Sequence, residues 1–450
     1  MIAAAMTARA AHLASDMNTA PRPSACPGLF RIVAALDGGL CRLKVPLGRL
    51  SAAGAQAIAE AARQHGNGTI EITNRANLQL RGILAGAEAA LAAELIAAGL
   101  GPRHPESDDV RNVLISPIAG LDPQQRLDVG PIATDILAHV ETDAGCRTLS
   151  PKFSVLVDGG ESVAVVDHPH DIWLAAMDSE TFALGIAGCP PVERDSTPFL
   201  AIASRDAGRA IASALALFLE EAGGDPEITR IRHLLGRLSR EAIIDRLSKP
   251  LGARANLADK ARHWRRPTPA AMGHVGVRAQ RQEGLSAVGA VPPLGRLSPD
   301  GLAHLADLAD ENGSELRLTP WQSVMIPDIR QERAVRVVEA LESLGFVCEP
   351  GHPLAAIVAC VGSAGCAKGR GDTKADAMKF SDIADRGFLH LSGCERSCAA
   401  AGVADMTLLA SAPGVYDLFV KDPREAHRFG RRIAVGLSAE QARERMRPAQ

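Results

Sequence analysis

Cys360-Val-Gly-Ser-Ala-Gly-Cys366 and Cys394-Glu-Arg-Ser-Cys398 hold four of the chain's nine cysteines, as C-x5-C and C-x3-C separated by 27 residues. Four thiolates are what a cubane iron–sulfur cluster needs. Gly362, Ser363 and Gly365 lie inside the first pair, and Gly393 precedes the second. Small residues let a backbone turn closely around a bulky group, and glycine tolerates the positive φ of such turns. Zinc is the rival for these thiolates, but structural zinc sites favour spacings of two to four residues. Four unrelated buried cysteines are the remaining reading, since cysteine is often buried without further use. Paired spacing in a glycine-rich frame favours the cluster.

Working outward, 450 residues predict about three domains, or two large ones, each able to bury a core. A net charge of −3 points to neither a nucleic-acid partner nor a membrane surface. Aromatic residues make up 3% of the chain, against an aromatic-stacking binder of single strands. Nine cysteines form no dense disulfide framework. The Ala-rich start, residues 1–25, is broken by Arg9, His12 and Asp16 and reads as a disordered tail rather than a signal peptide. No run of 18 apolar residues exists to span a membrane. The expectation is a soluble protein of the reducing cytoplasm.

The chain repeats itself. Pro46-Leu-Gly-Arg-Leu-Ser-Ala-Ala-Gly54 returns 247 residues later as Pro293-Leu-Gly-Arg-Leu-Ser-Pro-Asp-Gly301. Ser51 and Ser298 are expected helix N-caps, with Pro299 at the first helical position. Amphipathic helices to about His65 and Glu311 lead into strands Thr69–Thr73 and Glu315–Thr319, and second helices follow near 87–99 and 330–344. The spacing is too long for a solenoid and indicates duplication, with two halves pairing about a pseudo-twofold axis. Longer segments follow each copy. The first carries strands at Phe153–Val157 and Ser162–Val166 and a helix near 207–222; the second carries the paired cysteines. The division read here is a tail 1–25, half-repeat 26–105, module 106–250, linker 251–272, half-repeat 273–350 and cluster module 351–450, frayed from Arg443.

The first repeat's strand continues as Thr73-Asn-Arg-Ala-Asn-Leu-Gln-Leu-Arg81. Alternation along one strand would place Thr73, Arg75, Asn77, Gln79 and Arg81 on one face. That face is either solvated or the lining of an anion site, since arginine binds carboxylates bidentately. The second copy has Thr319, Trp321, Ser323, Met325 and Pro327 there, without cations. Arg111, in Asp109-Val-Arg-Asn-Val113, and Lys152, in Ser150-Pro-Lys-Phe153, are two further candidate cations. Asp167-His-Pro-His-Asp171 contains metal-capable residues in what reads as a polar loop, and His390 reads as a core histidine. Cys26, Cys41, Cys146, Cys189 and Cys348 have no pairing logic and read as structural.

These residues resemble the siroheme-dependent nitrite and sulfite reductases. The resemblance rests on the two cysteine pairs, Thr73–Gly82, Arg111-Asn-Val113 and Pro151-Lys-Phe153, and runs from about Cys26 to Arg432. It implies an α+β fold: a duplicated architecture of two ferredoxin-like half-domains and two larger α/β cofactor-binding modules about a pseudo-twofold. It also implies that Cys360, Cys366, Cys394 and Cys398 ligate a 4Fe–4S cluster, with Cys398 bridging to siroheme iron where siroheme is bound. Arg75, Arg111 and Lys152 fall on the family's catalytic anion-binding positions, and Asn77, Gln79 and Arg81 join them as substrate-binding candidates. One departure stands out: the reductases' second lysine of Lys-x-Lys is Ser154 here.

Ala25-Cys-Pro-Gly-Leu29, Leu318-Thr-Pro-Trp-Gln322, Gly365-Cys-Ala-Lys368, Asp372–Ala377 and Leu391-Ser-Gly-Cys394 are similar to one branch of that family, which acts in aerobic cobalamin biosynthesis. That likeness implies O2-dependent hydroxylation of precorrin-3A with γ-lactone formation. It also implies a 4Fe–4S cluster, a further non-haem iron and electrons from a reduced nicotinamide, directly or through an electron-donor protein. A siroheme-dependent assimilatory nitrite or sulfite reductase is the alternative, and a cluster-bearing electron carrier is the third reading. No nucleic acid or membrane partner is expected.

Overall fold

The structure is a computed structural model that describes residues 26–192, 197–255, 258–383, 387–425 and 427–446. The expected tail, 1–25, lies outside the described residues. Twenty strands among the described residues form four five-stranded sheets. The first repeat contributes β1 (Val33–Ala35), β2 (Gly38–Leu43), β3 (Arg49–Ser51), β4 (Ile70–Ile72) and β5 (Leu78–Ile83). The module behind it contributes β6 (Val113–Leu114), β7 (Val155–Asp158), β8 (His170–Ala176), β9 (Thr181–Gly188) and β10 (Leu200–Ala203). The second repeat holds β11 (Gly276–Ala279), β12 (Leu285–Ala290), β13 (Arg296–Leu297), β14 (Glu315–Leu318) and β15 (Val324–Arg330). The last module holds β16 (Ile357–Ala359), β17 (Leu389–Ser392), β18 (Met406–Ala412), β19 (Val415–Val420) and β20 (Arg431–Ser438).

The repeats are interlocked. The first sheet runs β1-β2-β5-β4-β13 and the second β11-β12-β15-β14-β3, so each copy lends the other its edge strand. Arg296 and Leu297 pair with Glu71 and Ile70, while Arg49–Ser51 pair with Glu315–Arg317. The lent strands follow the repeated Pro-Leu-Gly turns, where Leu47 (φ 56°) and Leu294 (φ 55°) both adopt the left-handed conformation that non-glycine residues avoid at about 1–2 kcal/mol each. Gly48 follows Leu47 so close to the second copy that an added Cβ would stand 2.6 Å from the Leu318 carbonyl oxygen. Ser51 and Ser298 cap the helices Ala52–His65 and Pro299–Asp310 by accepting from Gly54 and Gly301 amides, with Pro299 at the first turn. The two helices pack together, and Ile58, Leu80 and Leu95 share one apolar core with Leu305, Leu316 and Ile326.

The modules share a topology as well. β6, β7 and β8 run parallel and are followed by antiparallel β9 and β10; β16, β17 and β18 run parallel and are followed by antiparallel β19 and β20.

Several sequence expectations change. Thr73–Arg81 is not one strand: β4 ends at Ile72, and Thr73–Asn77 is a tight turn closed by the Thr73 amide on the Asn77 carbonyl, with Ala76 at φ 53°. The second copy turns in the same way at Thr319–Ser323, with Gln322 at φ 59°. Side-chain alternation therefore does not run through these segments. Ser162–Val166 is irregular backbone; Ser162 is tied by its amide and hydroxyl to Asp122 rather than to a neighbouring strand, and β8 begins later, at His170. The expected linker packs onto the first module: Leu251 joins its core and the Arg266 guanidinium pairs with Asp158 through two bonds of 3.0 Å. The expected frayed end is in part a helix, Ala439–Met446, in which Arg443 donates to the Lys379 carbonyl; residues 447–450 lie outside the described chain.

Candidate cluster and anion site

β16 and β17 are parallel neighbours, with Ala359 opposite Leu391, and each runs at its C-terminal end into a cysteine loop. Ligands of open α/β sheets bind off strand C-termini, where adjacent loops diverge. Cys360 follows β16 directly, and a short turn, Gly362–Ala364, leads to Cys366. Cys394 and Cys398 follow β17. The loops interlock through glycine: a Cβ on Gly393 would stand 3.2 Å from the Cα atoms of both Gly362 and Gly369. The Gly393 amide donates to Cys360 Sγ at 3.2 Å. The Cys398 thiol pKa is raised by burial and by Cys360, Cys394 and Cys366, which places all four sulfurs in one electrostatic neighbourhood.

Four thiols and an amide donor aimed at sulfur fit a cubane. Among the described residues no group of three or more His, Cys, Asp and Glu side chains could hold a single metal ion. A 4Fe–4S cluster instead takes four thiolates spread over its irons. In the first module the loops after β6 and β7 carry Ser116 and Gly159-Gly160-Glu161 instead of cysteines.

The first repeat reaches over these loops. Arg81 donates to both oxygens of Asp37 at 2.8 and 2.9 Å and to the Gly365 carbonyl at 3.1 Å. Its guanidinium thus braces the loop ahead of Cys366, a different role from the substrate-binding one expected. Asn74 Nδ2 donates to the Cys398 carbonyl, and Gln322 Nε2, from the matching turn of the second copy, donates to the Ala399 carbonyl, each at 3.2 Å. Both repeats thereby hold the last cysteine's loop.

A cluster of cations lies beside this loop. Arg75 is half-buried; its amide donates to Thr73 Oγ1 at 3.3 Å, and its guanidinium makes a 3.5 Å contact to the Pro151 carbonyl. Burial, then Arg230 and Arg42, lower its pKa to about 10. Arg42, on β2, donates to Gln79 Oε1 at 3.2 Å, while its buried Nε has no partner. Cys26 and Cys398 rank next after burial among the influences on Arg42, so this cation lies near Cys398. Lys44 is 3% exposed and donates to Asn112 Oδ1 at 2.5 Å. Asn112 is itself fixed by donating to the carbonyls of Pro151 and Phe153 at 3.0 and 3.1 Å. Lys152 is exposed, one residue beyond Pro151.

Other expected ligands point elsewhere. Asn77 Oδ1 accepts from the Val45 amide at 2.8 Å and braces the turn. Arg111 is buried against Asp108 at 3.1 Å and Glu141 at 4.0 Å, so carboxylates of its own module neutralise it. The Asp167–Asp171 stretch disperses. His168 contacts Asp167 and the Pro320 carbonyl; Asp171 pairs with Arg230; His170 is buried with both ring nitrogens unpartnered, its pKa driven well below the usual histidine value by burial. It presents no common metal site. Ser154 is 2% exposed, with an unpartnered hydroxyl. Arg42 and Lys44 were missed in the sequence. Their signal was present as two cations two residues apart, on one face of a segment that is otherwise Leu40, Cys41, Leu43 and Val45.

The profile of the nitrite/sulfite reductase ferredoxin-like half domain matches residues 35–98 and again 278–344, and that of the nitrite and sulphite reductase 4Fe-4S domain matches 106–254. A precorrin-3B synthase from Sinorhizobium sp is 30% identical over 423 residues, covering 92% of this chain and 87% of that protein. A chloroplastic ferredoxin–nitrite reductase from Arabidopsis thaliana is 30% identical over 397 residues, covering 82% of this chain. The chain spans 66% of that plant protein's length and 65% of its spinach counterpart's. The solved structure of the NirA protein of Mycobacterium tuberculosis superposes with a TM-score of 0.69 at 20% identity, covering 90% of this chain and 79% of that one.

Proposed function

The chain belongs to the nitrite and sulphite reductase family, and from that premise we propose that it is a precorrin-3B synthase: an O2-dependent oxidoreductase that hydroxylates precorrin-3A with γ-lactone formation in aerobic cobalamin biosynthesis. The observation that carries the reading is Ser154, a buried serine with an unpartnered hydroxyl, at the position where the resemblance to the reductases implies a second lysine. A small oxyanion depends on a compact set of positive groups, and losing one such donor costs about 2.7–4 kcal/mol of transition-state stabilisation. A polycarboxylated tetrapyrrole spreads its contacts, so it tolerates that loss, and neutral O2 is indifferent to it.

In this reading Arg75, Arg42 and Lys152 bind the carboxylates of precorrin-3A, and Lys44 and Gln79 complete that wall. Cys360, Cys366, Cys394 and Cys398 hold the 4Fe–4S cluster, which when bound supplies single electrons beside the site. One oxygen atom of O2 enters the ring carbon and the other leaves as water, using two electrons and two protons. The electrons come from a reduced nicotinamide, directly or through a donor protein.

The family profiles and the plant relatives favour a second reading, a siroheme-dependent nitrite or sulfite reductase. Two measurements separate them. Turnover of precorrin-3A under ¹⁸O2 should place one labelled atom in the product, and the purified protein should lack Soret and Q bands. Stoichiometric siroheme with nitrite or sulfite reduction, and no turnover of precorrin-3A, overturns the first reading.

A further inference from the structure

Lys44 sits at the end of β2 with its ammonium group inside the molecule, where a charge is costly unless paired. It makes one hydrogen bond, to the neutral Asn112 side chain, and no ion pair within 4 Å among the described residues. The nearby carboxylates are already committed. Asp108 Oδ1 accepts from Arg111 at 3.1 Å and Oδ2 from the Leu29 amide at 2.7 Å; both oxygens of Asp109 accept from Arg31 at 2.8 Å. The groups facing Lys44 are Arg42 on its own strand, Arg75 on the 73–77 turn, and Asp108 and Asp109 ahead of β6. With one N–H spent on Asn112, the uncharged amine keeps one N–H and a lone pair, and the ammonium form would have two free N–H donors.

We propose that Lys44 is the proton-accepting residue of the anion site, an uncharged amine in the free protein that takes up a proton when an anionic ligand enters beside Arg75. The inference rests on the reading of this wall as an anion site. An incoming carboxylate supplies the counter-ion that Lys44 lacks, and the captured proton converts an idle amine into a third cation at the ligand. Burial, reinforced by Arg42 and Arg75, lowers the Lys44 pKa to about 7, so the switch operates around neutral pH. The linkage has a definite sign. Binding is strongest where Lys44 is already protonated, below about pH 7, and weakens up to tenfold per unit as pH rises above it, until the pKa of the complex is reached.

Two measurements on the cluster-loaded protein test this. The chain has eight lysines, so ¹³Cε-lysine spectra resolve few signals, and the one missing in Lys44→Met belongs to Lys44. It should titrate near pH 7; titration near the usual lysine value of about 10.4 overturns the proposal. Separately, uroporphyrin III, an octacarboxylic tetrapyrrole, is titrated calorimetrically at pH 8 in buffers of different ionisation heat. The parent should take up about 0.9 proton more per ligand than Lys44→Met. Lys44→Arg, permanently charged, should bind without that uptake and restore affinity, which a purely structural role would not predict. Binding with equal uptake in parent and Lys44→Met overturns the proposal. Should uroporphyrin III not bind while nitrite does with the same uptake, the tetrapyrrole reading falls and Lys44 keeps its role; should neither bind, the proton-coupled anion site is overturned.

Discussion

The Arg81 guanidinium donates to the Gly365 carbonyl at 3.1 Å, joining a strand of the first repeat to the residue before Cys366, 284 positions further on. Arg81 is 4% exposed and also neutralises Asp37 and, at 3.6 Å, Glu71. Removing one partner of a buried charge group typically costs about 3–5 kcal/mol. Arg81→Ala should therefore lower thermal stability and release iron and sulfide, which metal and sulfide analysis and a melt would read. Full iron content with weakened tetrapyrrole binding would instead return Arg81 to the ligand wall.

Replacing Cys360, Cys366, Cys394 or Cys398 by serine should abolish or degrade the 4Fe–4S cluster. Cys146→Ser should not, because that thiol lies in the first module's core, where burial pushes its pKa to about 12. Iron and sulfide content and the low-temperature electron paramagnetic resonance of the reduced proteins give the comparison. A Cys394→Ser protein with four irons and four sulfides would remove that residue from the ligand set.

The exchanged strands make the two halves mutually dependent. A fragment of residues 26–262 leaves β4 without β13 and β3 without β14, two short unpaired strand segments whose buried apolar side chains lose their cover. Expressed alone it should lack a cooperative melt; co-expressed with 263–446 it should recover one. A monomeric 26–262 fragment that melts cooperatively would show that the exchange is dispensable.

Three buried histidines, His170, His274 and His390, set an acid limit. Burial lowers the pKa of His274 and of His390 to about 3, and Nε2 of each has no partner. The unfolded chain protonates first as pH falls, so each neutral histidine costs stability progressively from about pH 6.5 down to about 3, by up to about 1.4 kcal/mol per pH unit, and has no effect above that window. Urea titrations at pH 7, 6 and 5 should show this loss, and His390→Leu should remove roughly a third of that slope. An unchanged slope in His390→Leu would exclude the residue as a source.

The helix caps at Ser51 and Ser298, the ends of their helices and the duplication were legible because they are local. An N-cap hydroxyl reaches an amide three residues away, and a repeated nine-residue segment folds the same way twice. The cysteine spacing was legible for the same reason, since both loops leave neighbouring parallel strands. The polar run Thr73–Asn77 misled because a turn and a strand face can carry the same residue types. Only the backbone shows the reversal at Ala76 that sends Asn77 to the Val45 amide and Arg81 to Asp37.

The sequence by itself determined that four thiols share one glycine-framed site and that the chain is built twice. Tertiary structure decided which cations face that site. Arg111 is neutralised by Asp108 and Glu141, whereas Arg42 and Lys44 form no ion pair with a carboxylate among the described residues. A side chain's charge state and availability depend on burial and on partners that lie tens of residues away along the chain. The exchange of β3 and β13 was beyond local reading for the same reason: strand pairing is a bond between remote backbones, and neither segment encodes its partner.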